Sequence, residues 1–398
     1  MHSGLRLFSG GLRTLLFGAL LTAGAMSNTG CSLFGGDDDE PDAPVELPDF
    51  KSTLKIKKVW SAGLGDETEF LRLALAPASD GSRIFAAAND GRVSAFDALK
   101  GKRLWLSKTE LPLSGGPATD GKVVALGTSN GEVITIDADD GKELWRKSLS
   151  SEVLAAPALA PGLVLVRTVD GKLTALDVAD GTQRWFVQQN MPRLTVRGTG
   201  SPVVVGNVVV CGFDNGKLAA YELSDGTPAW DTLLDPPAGR NEIERLADIN
   251  ATVLSVGEDI YVLGYRGQTT AVALESGQSL WSQDVAGYGG LATDLENVYI
   301  SGTGSQLYAL LRQTGSELWK HELLKNRDIT GPTAWQNSVV VGDFEGYLHF
   351  FDAATGKPQA RVRFDSSRVT SAPLVVNDLL YVQSDGGKLA AFRQVVKQ

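Results

Sequence analysis

The sequence predicts an all-β fold, an eight-bladed β-propeller of four-stranded antiparallel blades closed by an N-terminal strand. Three observations carry that prediction. A turn glycine is followed four residues later by tryptophan at Gly101/Trp105, Gly141/Trp145, Gly181/Trp185, Gly226/Trp230, Gly277/Trp281 and Gly315/Trp319, with Gly356/Ala360 as a degenerate seventh pair. Ten residues before each of these glycines stands a second turn position, at Gly91, Gly131, Gly171, Gly216, Gly267, Ser305 and Gly346, and an eighth, Gly387, has no tryptophan after it. Between the turns, segments such as 92–96 and 172–176 alternate apolar and polar residues, the period of half-buried strands. A small sheet that recurs every 38 to 51 residues cannot cover its own apolar faces and must stack on neighbours, which makes a ring.

Taken in chain order, residues 1–30 read as a signal peptide. Arg6 and Arg13 stand in a segment without acidic residues, and the apolar stretch Leu15 to Met26 is too short to span a bilayer. The run Asn28-Thr29-Gly30-Cys31 resembles the bacterial lipobox, which implies that Cys31 carries the lipid and becomes the mature N-terminus. Asn28 stands where the lipobox ordinarily has Leu, and the alternative is ordinary cleavage near Ala25 or Ser27 with Cys31 a free thiol. Ser32 after the cysteine, rather than Asp, implies delivery to the outer membrane and a lipid-anchored protein on its periplasmic face. Residues 31–53, with Gly35-Gly36-Asp37-Asp38-Asp39-Glu40 and several prolines, are expected to form a flexible acidic tether.

The propeller is expected over residues 54–398. Within each unit a break such as Gly206-Asn207 divides two apolar runs, a third strand follows the Asx-Gly turn, and a fourth ends in tryptophan. The last unit has only three strands, while Leu54 to Trp60 forms a tryptophan-ending strand with no unit before it. Joining the two closes the ring and leaves no open edge between the ends of the chain. The tryptophans then serve as wedges between blades.

Composition excludes several functions. The chain holds 37 basic and 47 acidic residues, so no basic stripe is available to follow a phosphate backbone and no nucleic-acid partner is expected. With Cys31 lipidated, Cys211 in the apolar run 208–211 reads as a buried, unpaired thiol. Beyond the signal segment only His321 and His349 remain, too few for a histidine-built metal site. The pattern from Phe96-Asp97 to Trp105 resembles the repeat of the quinoprotein dehydrogenases, which bind pyrroloquinoline quinone and calcium. Their vicinal cysteine pair and long insertions have no counterpart here, and the repeated Asp97, Asp137, Asp177 and Asp352 are better read as turn residues. No catalytic residue, cofactor or metal is therefore expected.

Function on a repeat scaffold sits where the repeat is broken. The stretches leading into blades one, four and five are overlong. Those of blades four and five, Gln188 to Gly200 and Asp235 to Ala251, fall at crossings that share one face of the ring. They mix apolar and charged residues: Met191, Leu194, Val196 and Arg197 in one, Ile243, Glu244, Arg245, Leu246 and Asp248 in the other. On spacing alone, Leu194 and Val196 could equally begin an inner strand. The runs 191–198, 242–250 and 341–349 (Val-Gly-Asp-Phe-Glu-Gly-Tyr-Leu-His) resemble the BamB family of outer-membrane protein assembly factors over essentially the whole chain from Trp60. That resemblance implies a non-catalytic lipoprotein that docks on the periplasmic POTRA domains of BamA in the barrel-assembly (BAM) machinery. It maps the docking patch onto Leu194, Val196, Arg197, Asp248 and Asn250. Asn250 stands where the family pattern has a second aspartate, which keeps an acceptor and removes a charge. A second reading is a module that holds unfolded outer-membrane protein clients by adding their strands to an exposed blade edge.

Overall fold

The computed structural model describes residues 43–65, 75–195, 198, 200–236, 240, 241, 243, 246, 249 and 253–395. These residues form eight four-stranded antiparallel sheets, blades one to seven spanning 78–108, 113–148, 158–188, 203–233, 254–283, 290–321 and 333–363. Within each blade the strands follow chain order, and the first strands of neighbouring blades lie against each other around the axis.

Blade eight is composite. Its strands Leu374–Val376, Leu379–Gln383 and Lys388–Val395 are completed by Lys55–Gly63, which pairs antiparallel with Lys388–Val395 from Lys55 opposite Val395 to Gly63 opposite Lys388. The N-terminal strand closes the ring as the sequence predicts, although it runs three residues past Trp60.

The recurrent tryptophan has one geometry throughout. In blades one to six and in the closing strand, the indole Nε1 donates to a backbone carbonyl of the next blade at 2.7–2.9 Å: Trp60 to Ala98, Trp105 to Ala138, Trp145 to Val178, Trp185 to Leu223, Trp230 to Leu274, Trp281 to Arg312 and Trp319 to Ala353. The ring lies under the turn glycine of that next blade. A Cβ on Gly181, for example, would stand 2.7 Å from Trp145, and the φ of 71° there already favours glycine. The repeated glycine thus belongs to the tryptophan one blade back, which is why the two recur together.

Blade seven departs from this rule for a physical reason. Blade eight receives its outer strand from the N-terminus, so it has no third-to-fourth-strand turn glycine under which a blade-seven tryptophan could sit. In most blades the tryptophan faces alanine across the strand pair, as Trp105 faces Ala95; blade seven reverses the sizes, with Ala360 opposite Phe350. Trp335, from the inner strand, is 1% exposed and supplies the missing wedge, packing on Phe350 and donating to the Asp378 carbonyl at 3.0 Å.

The expected tether needs one correction. Ala43 to Leu54 is bonded to the ring: the Val45 N–H donates to the Lys325 carbonyl at 3.1 Å, and the Thr53 and Leu54 N–H groups to the Gln359 carbonyl at 2.9 and 3.2 Å. Leu47 packs against the cluster of Tyr299, Trp319 and Leu324. Val45, Leu47 and Phe50 give this part of the segment apolar surface that the Gly- and Asp-rich stretch before it lacks.

Candidate docking face

All blade-to-blade crossings emerge beside the turns between second and third strands. The crossings out of blades one to four, for instance, hand an N–H to the turn carbonyls of Gly91, Gly131, Gly171 and Gly216 at 2.7–3.0 Å. One face of the ring therefore collects the irregular chain. Its longest crossings span 64–77, 189–202 and 234–253, those entering blades one, four and five.

In the crossing into blade four, Met191 packs over Gly171 and joins the core between blades three and four. Leu194 turns outward and is 42% exposed. The inner strand of blade four begins only at Val203, so Leu194 belongs to the loop and not to the strand. The end of the loop is fastened by Arg167, which is fully enclosed. Its Nη1 donates to the Gly198 and Gly200 carbonyls at 3.3 and 3.4 Å, and its Nη2 to the Asp214 carboxylate. A buried charge pair of this kind stabilises little in total, but loss of either member strands the other charge.

In the crossing into blade five, Ile249 is buried against Val210, Leu218 and Val253, and its N–H donates to the Phe213 carbonyl at 3.3 Å. Ile243, at 60% exposure, faces solvent. Its carbonyl accepts from Arg266 Nη1 at 3.0 Å, and the Arg266 guanidinium lies 5.9 Å from the Tyr265 ring, which in turn is 6.2 Å from Tyr288. Beneath this turn lies Asp235, 8% exposed, with Oδ2 unpartnered. Burial raises its carboxyl above the usual carboxylate value, against the opposing hydrogen bond from the Arg266 N–H.

Of the site residues expected from sequence, Leu194 is placed on this face. Val196, Arg197, Asp248 and Asn250 lie outside the described residues, as does Cys31. Sequence reasoning missed Arg167, Asp214, Arg266, Tyr265 and Tyr288. The first two are buried partners far apart in the chain; Tyr265 and Arg266 sit in an ordinary second-to-third-strand turn and Tyr288 in a short crossing, with nothing in spacing to single them out.

Other groups have structural roles. Asp97, Asp137, Asp177 and Asp352 each accept a backbone N–H two or three residues on at 2.7–2.9 Å, as turn residues do. Cys211 is fully buried, and burial pushes its thiol up to about 11, far from the reactive range.

A closed propeller that gathers its irregular chain on one face around exposed apolar residues has the architecture of a repeat scaffold, with its variable surface on that face. A family model described as "Outer membrane protein assembly factor BamB" matches residues 89–321 and 304–395. The BamB of Pseudomonas aeruginosa is 42% identical over 94% of this chain and 98% of its own, and that of Alkalilimnicola ehrlichii is 43% identical over 88% and 92%. The crystal structure of BamB from Moraxella catarrhalis superposes with a TM-score of 0.78 at 27% identity, covering 85% of this chain and all of that one. The chain belongs to the BamB family of outer-membrane protein assembly factors. A europium-containing methanol dehydrogenase shares the fold at 13% identity, with a TM-score of 0.69, and that likeness extends to the fold alone.

Proposed function

We propose that this protein is a lipid-anchored scaffold of the BAM machinery that docks on the POTRA domains of BamA through the crossings of blades four and five. The observation that carries the reading is the pair of long crossings, 189–202 and 234–253, on adjacent blades of one face, each offering an exposed aliphatic side chain, Leu194 and Ile243. Leu194 and Val196 supply apolar anchor area, Arg197 a planar multi-donor contact, and Asp248 a charge that meets a basic partner or orients Arg197. Arg167 and Arg266 fix the loop backbones beforehand, which lowers the ordering cost of binding.

Leu194→Ser, Arg197→Ala and Asp248→Ala are expected to weaken binding to purified BamA POTRA domains, at least one of them tenfold or more. Truncated interface anchors commonly lose about 2 to 4 kcal/mol. Lys357→Ala, on the opposite face, serves as the control. Wild-type affinity in all three folded variants would remove this face from the mechanism.

The second reading, capture of unfolded clients on a blade edge, has one observation in its favour. The outer strands of blades one to three expose Leu104, Leu106, Leu144 and Phe186. Those strands also carry Arg103, Lys108, Glu143, Arg146, Lys147 and Arg184, the kind of charge that blocks edge pairing, which favours the docking reading.

A further inference from the structure

The charges of the run 341–349 serve neither the tryptophan scaffold nor the docking loops. They surround Arg327, which comes from the crossing into blade seven and is 4% exposed. Arg327 Nε donates to Asp343 Oδ2 at 2.9 Å, its Nη2 pairs with the Glu345 carboxylate, and its guanidinium lies 5.0 Å from the Phe344 ring. His349 Nε2 stands 3.0 Å from the same Asp343 oxygen. So oriented, Arg327 directs Nη1 at the Val45 carbonyl, 3.1 Å away. Its chain neighbours complete the grip: Asn326 Nδ2 donates to the Ala43 carbonyl at 3.3 Å, and the Lys325 carbonyl accepts the Val45 N–H. Further along, Arg361 Nη2 donates to the Pro48 carbonyl at 3.0 Å with its guanidinium 5.2 Å from the Phe50 ring. A cavity of about 220 Å³ remains between this strap and blade seven, lined by Pro48, Phe50, Leu324, His349 and Arg361.

The path of the strap fixes a direction. It starts beside Lys325 to Arg327, on the crossing face, descends the outside of blade seven, and reaches the opposite face where Lys55 pairs with Val395. Ala43, the first described residue of the strap, therefore stands on the face that carries the proposed docking loops.

We infer that the run 341–349 is a clamp for the chain's own residues 43–54, and that by fixing where the anchor segment leaves the ring it turns the docking face toward the lipid surface. The orientation rests on the lipid-anchor reading of Cys31; the clamp does not. From Cys31 to Ala43 the chain reaches at most about 43 Å. The two ends of a six-residue strand are about 20 Å apart, so the faces differ in distance from the bilayer by a measurable part of that reach.

The test uses the full lipidated chain on phospholipid vesicles carrying a fluorescent headgroup acceptor, with one donor dye at a time on blade seven. Ser366→Cys places the dye on the crossing face and Ala354→Cys on the opposite face; native Cys211 is buried, and in the lipidated chain the thioether would block Cys31. Energy transfer at least twofold greater from residue 366 is expected. A Val45→Pro/Leu47→Ser variant, altered outside the ring, should narrow that difference while the blades still unfold in one cooperative transition at a modestly lowered melting temperature. In the unaltered chain the Val45 amide should exchange its hydrogen at least tenfold more slowly than an unprotected amide. Equal transfer from the two faces, or greater transfer from residue 354, overturns the orientation, and an unprotected Val45 amide overturns the clamp. Sedimentation of the same samples reads the anchor separately: a chain that stays in solution refutes the anchor and with it the orientation, while the exchange measurement still decides the clamp.

Discussion

At the scale of single residues, the blade interface is a three-part contact of indole, a small facing residue (alanine in most blades, Thr135 opposite Trp145) and an overlying glycine, and its parts can be separated. Trp145→Phe keeps most of the packing and loses one donation to the Val178 carbonyl, so about 1 kcal/mol of stability should go. Gly181→Ala places a methyl group against the same ring at a φ that alanine resists and should destabilise by more, a ranking that denaturant melts would check. Blade seven offers a sharper test. Ala360→Trp alone should be strongly destabilising because Phe350 occupies the facing space, and adding Phe350→Ala should recover part of the loss; purely additive effects in the double-mutant cycle would show that the two sizes are not exchanged. Asp235 makes a prediction about pH. Its folded-state carboxyl is raised above its unfolded value near 3.8 by burial, so the stability contributed by its protonated form is fully present below that value and lost as pH rises through the folded one. Asp235→Asn should therefore gain stability relative to the native chain as pH rises above about 3.8 and level off once the pH has passed the raised folded-state value. A difference in melting temperature that does not change with pH would refute this account.

At the scale of elements, closure by Lys55–Gly63 can be tested against the segment before the strap. Deleting 55–63 removes Trp60 with its donation to Ala98 and opens an edge along Lys388–Val395, so a loss comparable to a buried tryptophan truncation, about 3 to 5 kcal/mol or roughly 4 to 7 °C, is expected. Deleting 34–41, upstream of every contact described for the strap, should leave the melting temperature within a degree or two. The ring was legible in sequence because each blade repeats the same turn chemistry, so both the missing eighth tryptophan and the unpaired Trp60 strand stood out against it. The two long crossings were legible for the same reason, as excess length over a fixed register. The strap was not, since Val45 and Leu47 lie between prolines in a stretch dominated by charge and make too short an alternation to register as a strand. Arg167 with Asp214 escaped because a buried pair 47 residues apart leaves no local period, and Trp335 because it fills the blade-seven wedge from the inner strand, outside the repeating slot.

At the scale of the whole molecule, the docking patch proposed above is small, with Leu194 and Ile243 the exposed aliphatic residues described on its two loops, and such a patch suits moderate affinity. The proposed lipid anchor would offset this. Two partners held at one membrane by a short linker meet at an effective concentration in the millimolar range, which can raise occupancy a hundredfold or more without any new contact. The anchor and the patch should then be separable by mutation. Cys31→Ser should lose membrane association and the mass of its acyl chains, yet bind isolated POTRA domains in solution as the native chain does. Leu194→Ser should remain on the membrane and bind those domains weakly. In cells, the Cys31→Ser protein should support outer-membrane protein assembly only when overproduced, because concentration can replace tethering, whereas overproduction should compensate Leu194→Ser only to the extent of its affinity loss. A Cys31→Ser chain that still sediments with outer membranes from cells lacking BamA would mean that another segment holds the bilayer, and the division of labour between anchor and patch would fall with it.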